Sequence, residues 1–270
     1  MEDAAAIGLN AGMDQEGGGT GAIKELANAI EGGKTTAEAV EAAFRRLFLM
    51  RIRLGMLDPP TMNQWNYVSF AIVESPEHIQ LNRLAAAKGI CLYKNDRSTL
   101  PLSASKFSQL GDILVVGPTA TDGDNLQGNY ARHTDIGAVS IFDGVVEAIG
   151  PNIAVTEPGC LFINCTTTAL FPSAVAAASR AKAVVLVLGT RHDCKDPIAC
   201  EGEGHDRTSI EFAGHQLDLA AALAATGTPL VCVLVHGGSM ALRSLLTDCN
   251  AIVDAWFPGA QGGNGVAGGL

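Results

Sequence analysis

Apolar positions recur at helical spacing in two early stretches of the chain, 20–31 and 35–54. In the second, Val40, Ala43, Phe44, Leu47, Met50 and Leu54 fall on one stripe behind a Thr35-x-x-Glu38 capping box. Gly55 stops that helix, and Asp58-Pro59-Pro60 breaks regular structure. Residues 61–74 read as an irregular linker. Ser75-Pro76-Glu77 then supplies an N-cap, a proline at the first helical position and an acidic first turn for a helix to about Lys88.

From Ile90 the period changes. Short β-rich runs at 90–94, 113–116, 153–156, 184–188, 230–235 and 251–256 alternate with helical stretches at 141–149, 171–181, 214–225 and 239–246. Such alternation predicts an α/β fold over 75–270, a mainly parallel sheet flanked by helices. Polar residues gather in the loops expected at the carboxyl ends of the strands, where open α/β sheets present their chemistry. They are Gly128-Asn129-Tyr130 with Arg132 and His133, the stretch 190–207, His236-Gly237-Gly238-Ser239 and the turn 258–263.

Composition narrows the function classes. With 270 residues, 47% apolar and 17% charged, the chain fills one large or two ordinary domains. The net charge is −10 and the basic residues are scattered, which disfavours nucleic acid as a partner. The one basic cluster, Arg45, Arg46, Arg51 and Arg53, lies mostly off the apolar stripe and reads as a solvated or carboxylate-paired face. No apolar run reaches the roughly 18 residues of a membrane span, and Met1-Glu2-Asp3-Ala4 does not resemble a secretory leader.

Six of the seven cysteines fall into two groups. Cys91 and Cys232 lie in strand candidates and read as small buried thiols, whereas Cys160, Cys165, Cys194 and Cys200 lie in or near loops, as bridges or as free thiols. Those four with His192 and His205 miss the tight CxxC spacing of zinc sites, so no metal is expected. The glycine-rich loops contain neither GxGxxG after the first strand nor GxxxxGK[ST], which leaves a nucleotide-binding domain a weak rival.

The densest chemistry is Glu201-Gly202-Glu203-Gly204-His205-Asp206-Arg207, which puts three carboxylates, an imidazole and a guanidinium on one loop. With it, in order, stand LGMLDPP (54–60), GICLYKNDRSTLPL (89–102), VVGPTATD (115–122), GNY (128–130), EGEGHDRTSI (201–210), GHQLDL (214–219) and WFPGAQGG (256–263). This series resembles glycoside hydrolase family 3, in its β-xylosidase-like branch. The resemblance implies a (β/α)8 barrel followed by an α/β sandwich, with the active site between them. Residues 1–60 would then be the end of the barrel, 61–74 the linker and 75–270 a sandwich incomplete at its C-terminus, with the chain truncated at both ends.

The same resemblance implies hydrolysis of O-glycosyl bonds in xylo- or gluco-oligosaccharides, in a family often secreted. It makes one of the two glutamates the general acid/base, a role needing a carboxyl with its pKa raised toward neutrality. Alignment through the Asp206-Arg207 step favours Glu201, whereas branches with a GEGY-type loop favour Glu203. His205 becomes a candidate for contact with a sugar hydroxyl. Asp206 and Arg207 are expected to ion-pair and fix the loop's exit. The family's nucleophilic aspartate lies upstream of the matching segment, so no nucleophile is assigned here, and Asp3 and Asp14 read as structural or solvated. The expected partners are an oligosaccharide or β-glycoside and, through the missing nucleophile, a separate barrel domain. The rivals to a split or partial enzyme are a non-catalytic sugar-binding module and an inactive gene fragment. Residues 191–200 look longer than the family's usual link, and the strand ending near Trp256 is expected to leave apolar surface uncovered.

Overall fold

The computed structural model describes residues 1–19, 21–131, 136–194 and 196–270; Arg132 and His133, singled out above, lie outside the described residues. Two units divide the chain, Met1–Ile72 and Val73–Leu270.

The first unit carries α1 (Glu2–Asn10), α2 (Leu26–Glu31, after a 3-10 turn at Ala22–Glu25) and α3 (Ala37–Arg53). Thr36, not Thr35, caps α3, accepting the Ala39 amide. Thr35 is buried and donates its hydroxyl to Asn10 instead. Lys34 pairs with Glu2 and Asp3, and Arg46 with Asp14, so both upstream aspartates are tied into ion pairs. Arg45 pairs with Glu41 and Arg51 lies over the Phe48 ring, in keeping with a paired rather than a binding face. Of the apolar stripe on α3 only Ala43 is buried; Phe44, Met50 and Leu54 are exposed. Short 3-10 turns fill 60–72.

In the second unit α4 (Pro76–Gly89) starts at Ser75, whose hydroxyl accepts the His78 amide. Six strands follow: β1 (Cys91–Asn95), β2 (Ile113–Val116), β3 (Ala154–Glu157), β4 (Ala183–Gly189), β5 (Leu230–Val235) and β6 (Ala251–Asp254). They pair in the order β1-β6-β5-β4-β2-β3, all parallel except β1, which runs antiparallel to β6. Between them lie α5 (Ile141–Ile149), α6 (Phe171–Ala178), α7 (Gln216–Ala224) and α8 (Leu245–Asp248), and α9 (Gly262–Gly269) closes the order.

Strand side chains alternate between faces, and here both faces are covered. Ile113, Val115, Val185, Val187, Val231, Val233 and Val253 pack with Ile141 and Val145 of α5 and Val266 of α9. Leu114, Val116, Leu186, Leu188, Leu234 and Ile252 pack with Ala174 of α6, Leu219 and Leu223 of α7 and Leu245 of α8. Each such fully buried side chain contributes about 1.5–3 kcal/mol. This two-sided burial is why the strands read as continuous apolar runs.

Two expectations need correction and a third is narrowed. The helix expected at 239–246 shrinks to Leu245–Asp248, because 239–241 turn outward to serve the site described below. Strand β6 is itself wholly buried and α9 packs on α5 and α4, so the apolar surface left bare there is that of Trp256, two residues beyond the strand. Cys91 is exposed and free, while Cys232 is bridged to Cys249; Cys160–Cys165 and Cys194–Cys200 are also disulfides.

Candidate active site

The parallel strands bring the ends of β4, β5 and β6 to one rim of the sheet. Gly189 closes β4 with φ of 143°, where a Cβ would strike the Val235 carbonyl, so the next residue leaves the sheet at once. Buried Gln216 braces this exit, accepting the Gly189 amide and donating to the Gly189 and Ile163 carbonyls. Thr190 follows and turns its hydroxyl onto Glu201.

Residues 191–200 form an excursion closed at its neck. Arg191 and Cys200 make a bridge, the Arg191 amide donates to Ala199 O (2.9 Å) and the Glu201 amide to Arg191 O (2.8 Å). The Cys194–Cys200 disulfide ties the same neck, and Arg191 is ion-paired to both Asp122 and Asp193. These ties hold Glu201 at the foot of the segment.

Glu201 is held from three sides. Its Oε1 accepts the Thr190 hydroxyl and the Gly237 amide, and its Oε2 lies 2.8 Å from Arg207 Nε. Arg207 also donates to the Ser239 carbonyl at 2.6 Å and the Ser209 carbonyl at 3.2 Å. Gly237 and Gly238 leave room for this carboxylate: a Cβ on Gly238 would stand 3.1 Å from Oε2, and one on Gly237 would press on Phe257. Burial alone would raise the Glu201 pKa, but the Thr190 hydroxyl, the Gly237 amide and Arg207 outweigh it and hold the carboxyl below its ordinary value. The expected Asp206–Arg207 pair is not formed: Arg207 turns inward to Glu201, while Asp206 stays exposed at the cleft.

Glu203 is placed differently. Gly202 and His205 pair as a tight antiparallel turn, with reciprocal amide–carbonyl bonds of 3.2 and 2.9 Å. Gly204, at φ 72°, supplies the left-handed residue such a turn needs. Glu203 stands exposed at the tip, near Tyr130, whose phenol is pushed above its ordinary pKa by desolvation and by that carboxylate. His205 is exposed, with Nδ1 3.1 Å from the Glu203 carbonyl.

Glu201, Glu203, His205, Asp206, Arg207, Tyr130 and Phe257 line an open cleft of about 800 Å³. A smaller cavity of about 250 Å³, lined by His192, Asp193, Glu203 and His205, adjoins it. No group of three or more metal-ligating side chains occurs among the described residues. Sequence reasoning missed Thr190, Gly237 and Ser239 as partners of the acidic loop; only their position just after β4 and β5 pointed to them.

Residues 90–270 match the glycosyl hydrolase family 3 C-terminal domain. The chain belongs to glycosyl hydrolase family 3. Among curated family members it is 34% identical to a probable exo-1,4-beta-xylosidase xlnD of Neosartorya fischeri and 31% identical to probable beta-D-xylosidase 6 of Arabidopsis thaliana. Each alignment covers 98% of this chain and 32% of the relative. A solved GH3 exo-beta-xylosidase (XlnD), in complex with a xylobiose aziridine activity-based probe, matches with a TM-score of 0.82 at 28% identity, over 98% of this chain and 33% of its own. A β-glucosidase from Erythrobacter marinus matches with a TM-score of 0.79 at 28% identity, over 98% of this chain and 38% of its own. The chain thus spans about a third of the length of the curated relatives it matches, and its sheet flanked by helices is the family's α/β sandwich.

Proposed function

We propose that this chain forms the acid/base wall of a retaining β-glycosidase site acting on β-xylosides, with β-glucosides the neighbouring substrate class. The observation that carries the reading is the division of labour between two glutamates. Glu201 is saturated by Thr190, Gly237 and Arg207, whereas Glu203 stands exposed at the tip of the turn between two cavities. A general acid must reach the leaving oxygen and exchange its proton, and a carboxylate held below its ordinary pKa by three donors does neither well. This reverses the preference for Glu201 drawn from the sequence.

In this reading Glu203 protonates the glycosidic oxygen and later takes a proton from the attacking water. Glu201 anchors the turn, and His205 and Asp206 present polar groups to sugar hydroxyls. Retention requires a second carboxylate about 5–5.5 Å away as nucleophile. Asp3 and Asp14 are committed to Lys34 and Arg46, so that nucleophile is expected from a barrel domain outside this chain. The chemistry calls on neither metal nor organic cofactor.

The test is hydrolysis of an aryl β-xyloside by the 270-residue chain alone and after adding the barrel domain of a related xylosidase. We expect turnover only in the mixture, lowered by Glu203→Gln by about 10²–10⁴-fold. Sugar binding with no restored turnover would instead support a binding module, and turnover by the chain alone would refute the missing nucleophile.

A further inference from the structure

Beneath the glycine loop lies a buried polar chain that the acid/base reading does not use. Asp254, the last residue of β6, is fully buried, and taking a carboxylate out of water costs several kcal/mol unless its partners are well placed. Its Oδ2 accepts the Tyr93 hydroxyl at 2.5 Å, and its Oδ1 accepts the Trp256 amide at 3.2 Å and lies 3.1 Å from His236 Nε2.

Each partner is oriented by an irregularity in the backbone. The β1–β6 register slips between Leu92 and Lys94, and the unmatched residue is Tyr93, the place where a bulge re-aims a side chain. Trp256 has φ of 57°, a conformation that a bulky residue adopts only when its surroundings impose it. Its carbonyl receives the His236 amide at 3.3 Å and its ring lies 5.1 Å from the His236 ring. The other nitrogen of His236, Nδ1, lies 2.5 Å from the Gly238 carbonyl, so each ring nitrogen faces an acceptor. The peptide between Gly238 and Ser239 is thereby pinned to the His236 ring, closing the turn that carries the Gly237 amide, which donates to Glu201.

We propose that Tyr93, Asp254 and His236 form a positioning relay for the acidic loop, in which His236 holds the Gly238 carbonyl so that the Gly237 amide meets Glu201. His236 and Asp254 are positioning residues, and neither lines the 800 Å³ cleft. The relay takes its catalytic meaning from the reading of Glu201 as anchor of the Glu203 turn, but its test needs no turnover.

That test is an NMR titration of the Glu201 carboxyl in the full chain. An Asn side chain can place an N–H where Nδ1 stands, and a Gln side chain only where Nε2 stands. We expect His236→Gln and Asp254→Asn to lose the ordered Gly237 donor and raise the Glu201 midpoint by about one pH unit. His236→Asn should keep it near that of the parent, and Tyr93→Phe, a milder change at a half-exposed position, should give a smaller rise. Asp112→Asn, which breaks the ion pair to Lys182, serves as a control for general destabilisation. An unchanged Glu201 midpoint in His236→Gln, Asp254→Asn and Tyr93→Phe, or an equal rise in the control, overturns the relay. Failure of the mixture of chain and barrel domain to cleave a xyloside would count against the proposed activity alone.

Discussion

Arg207 Nε lies 2.8 Å from Glu201 Oε2, and the two side chains are only 6% and 12% exposed. A pair so enclosed matters chiefly through what its rupture leaves behind, an unpaired charge in a dry place. Arg207→Met should therefore destabilise the chain by about 3–5 kcal/mol. Converting both members, Glu201→Leu with Arg207→Met, should cost less than the sum of the single changes. Urea unfolding of the four proteins in a double-mutant cycle measures the difference, and strict additivity would contradict the coupling.

Acid should unfold this chain through two carboxylates. Glu201 and Asp254 both titrate below their ordinary values of 4.5 and 3.8, although burial pushes each the other way. For Glu201 the Thr190 hydroxyl, the Gly237 amide and Arg207 prevail; for Asp254 it is His236 and Tyr93. A folded pKa below the unfolded one means that the contribution is complete above those ordinary values and is lost as pH falls through the lower folded ones. Melting temperature should hold steady from pH 7 to about 5 and fall steeply below about 4. Glu201→Gln should flatten that fall.

The alkaline side reports on a different bond. Tyr93 is pushed up to about 12 by its hydrogen bond to Asp254, reinforced by desolvation. The raised value makes its contribution complete below the ordinary 10.0 and lost as pH climbs through about 12. In an ultraviolet titration of the three tyrosines, one should ionise last, near pH 12, and that step should vanish in Tyr93→Phe.

Much of this was legible in the sequence. Strands β2, β4 and β5 were readable because burial on both faces writes itself as nearly unbroken runs of Val, Leu and Ile. Ser75-Pro76 announced α4 because capping and proline chemistry are local. Thr35 misled because two adjacent threonines offer the same hydroxyl, and only the contact with Asn10 decides which one caps. The surroundings of Glu201 were hidden for a similar reason. Its partners are Thr190 and Arg207, from the two ends of the stretch 190–207, and Gly237, from the loop after β5, and no local pattern reveals that they converge.

Removing the Cys194–Cys200 bridge offers a measurement confined to the neck of the acidic loop. The crosslink spans a sequence separation of 6. Closing so short a loop is worth about 2 kcal/mol in the chain-entropy account. Cys194→Ser with Cys200→Ser should lose about that much on urea unfolding. Limited proteolysis should cut between 191 and 200 sooner than in the parent, while cleavage elsewhere keeps its rate.

Six of the seven cysteines are consumed in bridges, and Cys232 and Cys249 join theirs inside the packed core. A batch made in a reducing bacterial cytosol is then chemically another substance from one folded in an oxidising lumen or periplasm. Mass spectrometry of the intact chain, with and without thiol alkylation, is therefore a purity criterion to satisfy before any kinetic comparison between preparations.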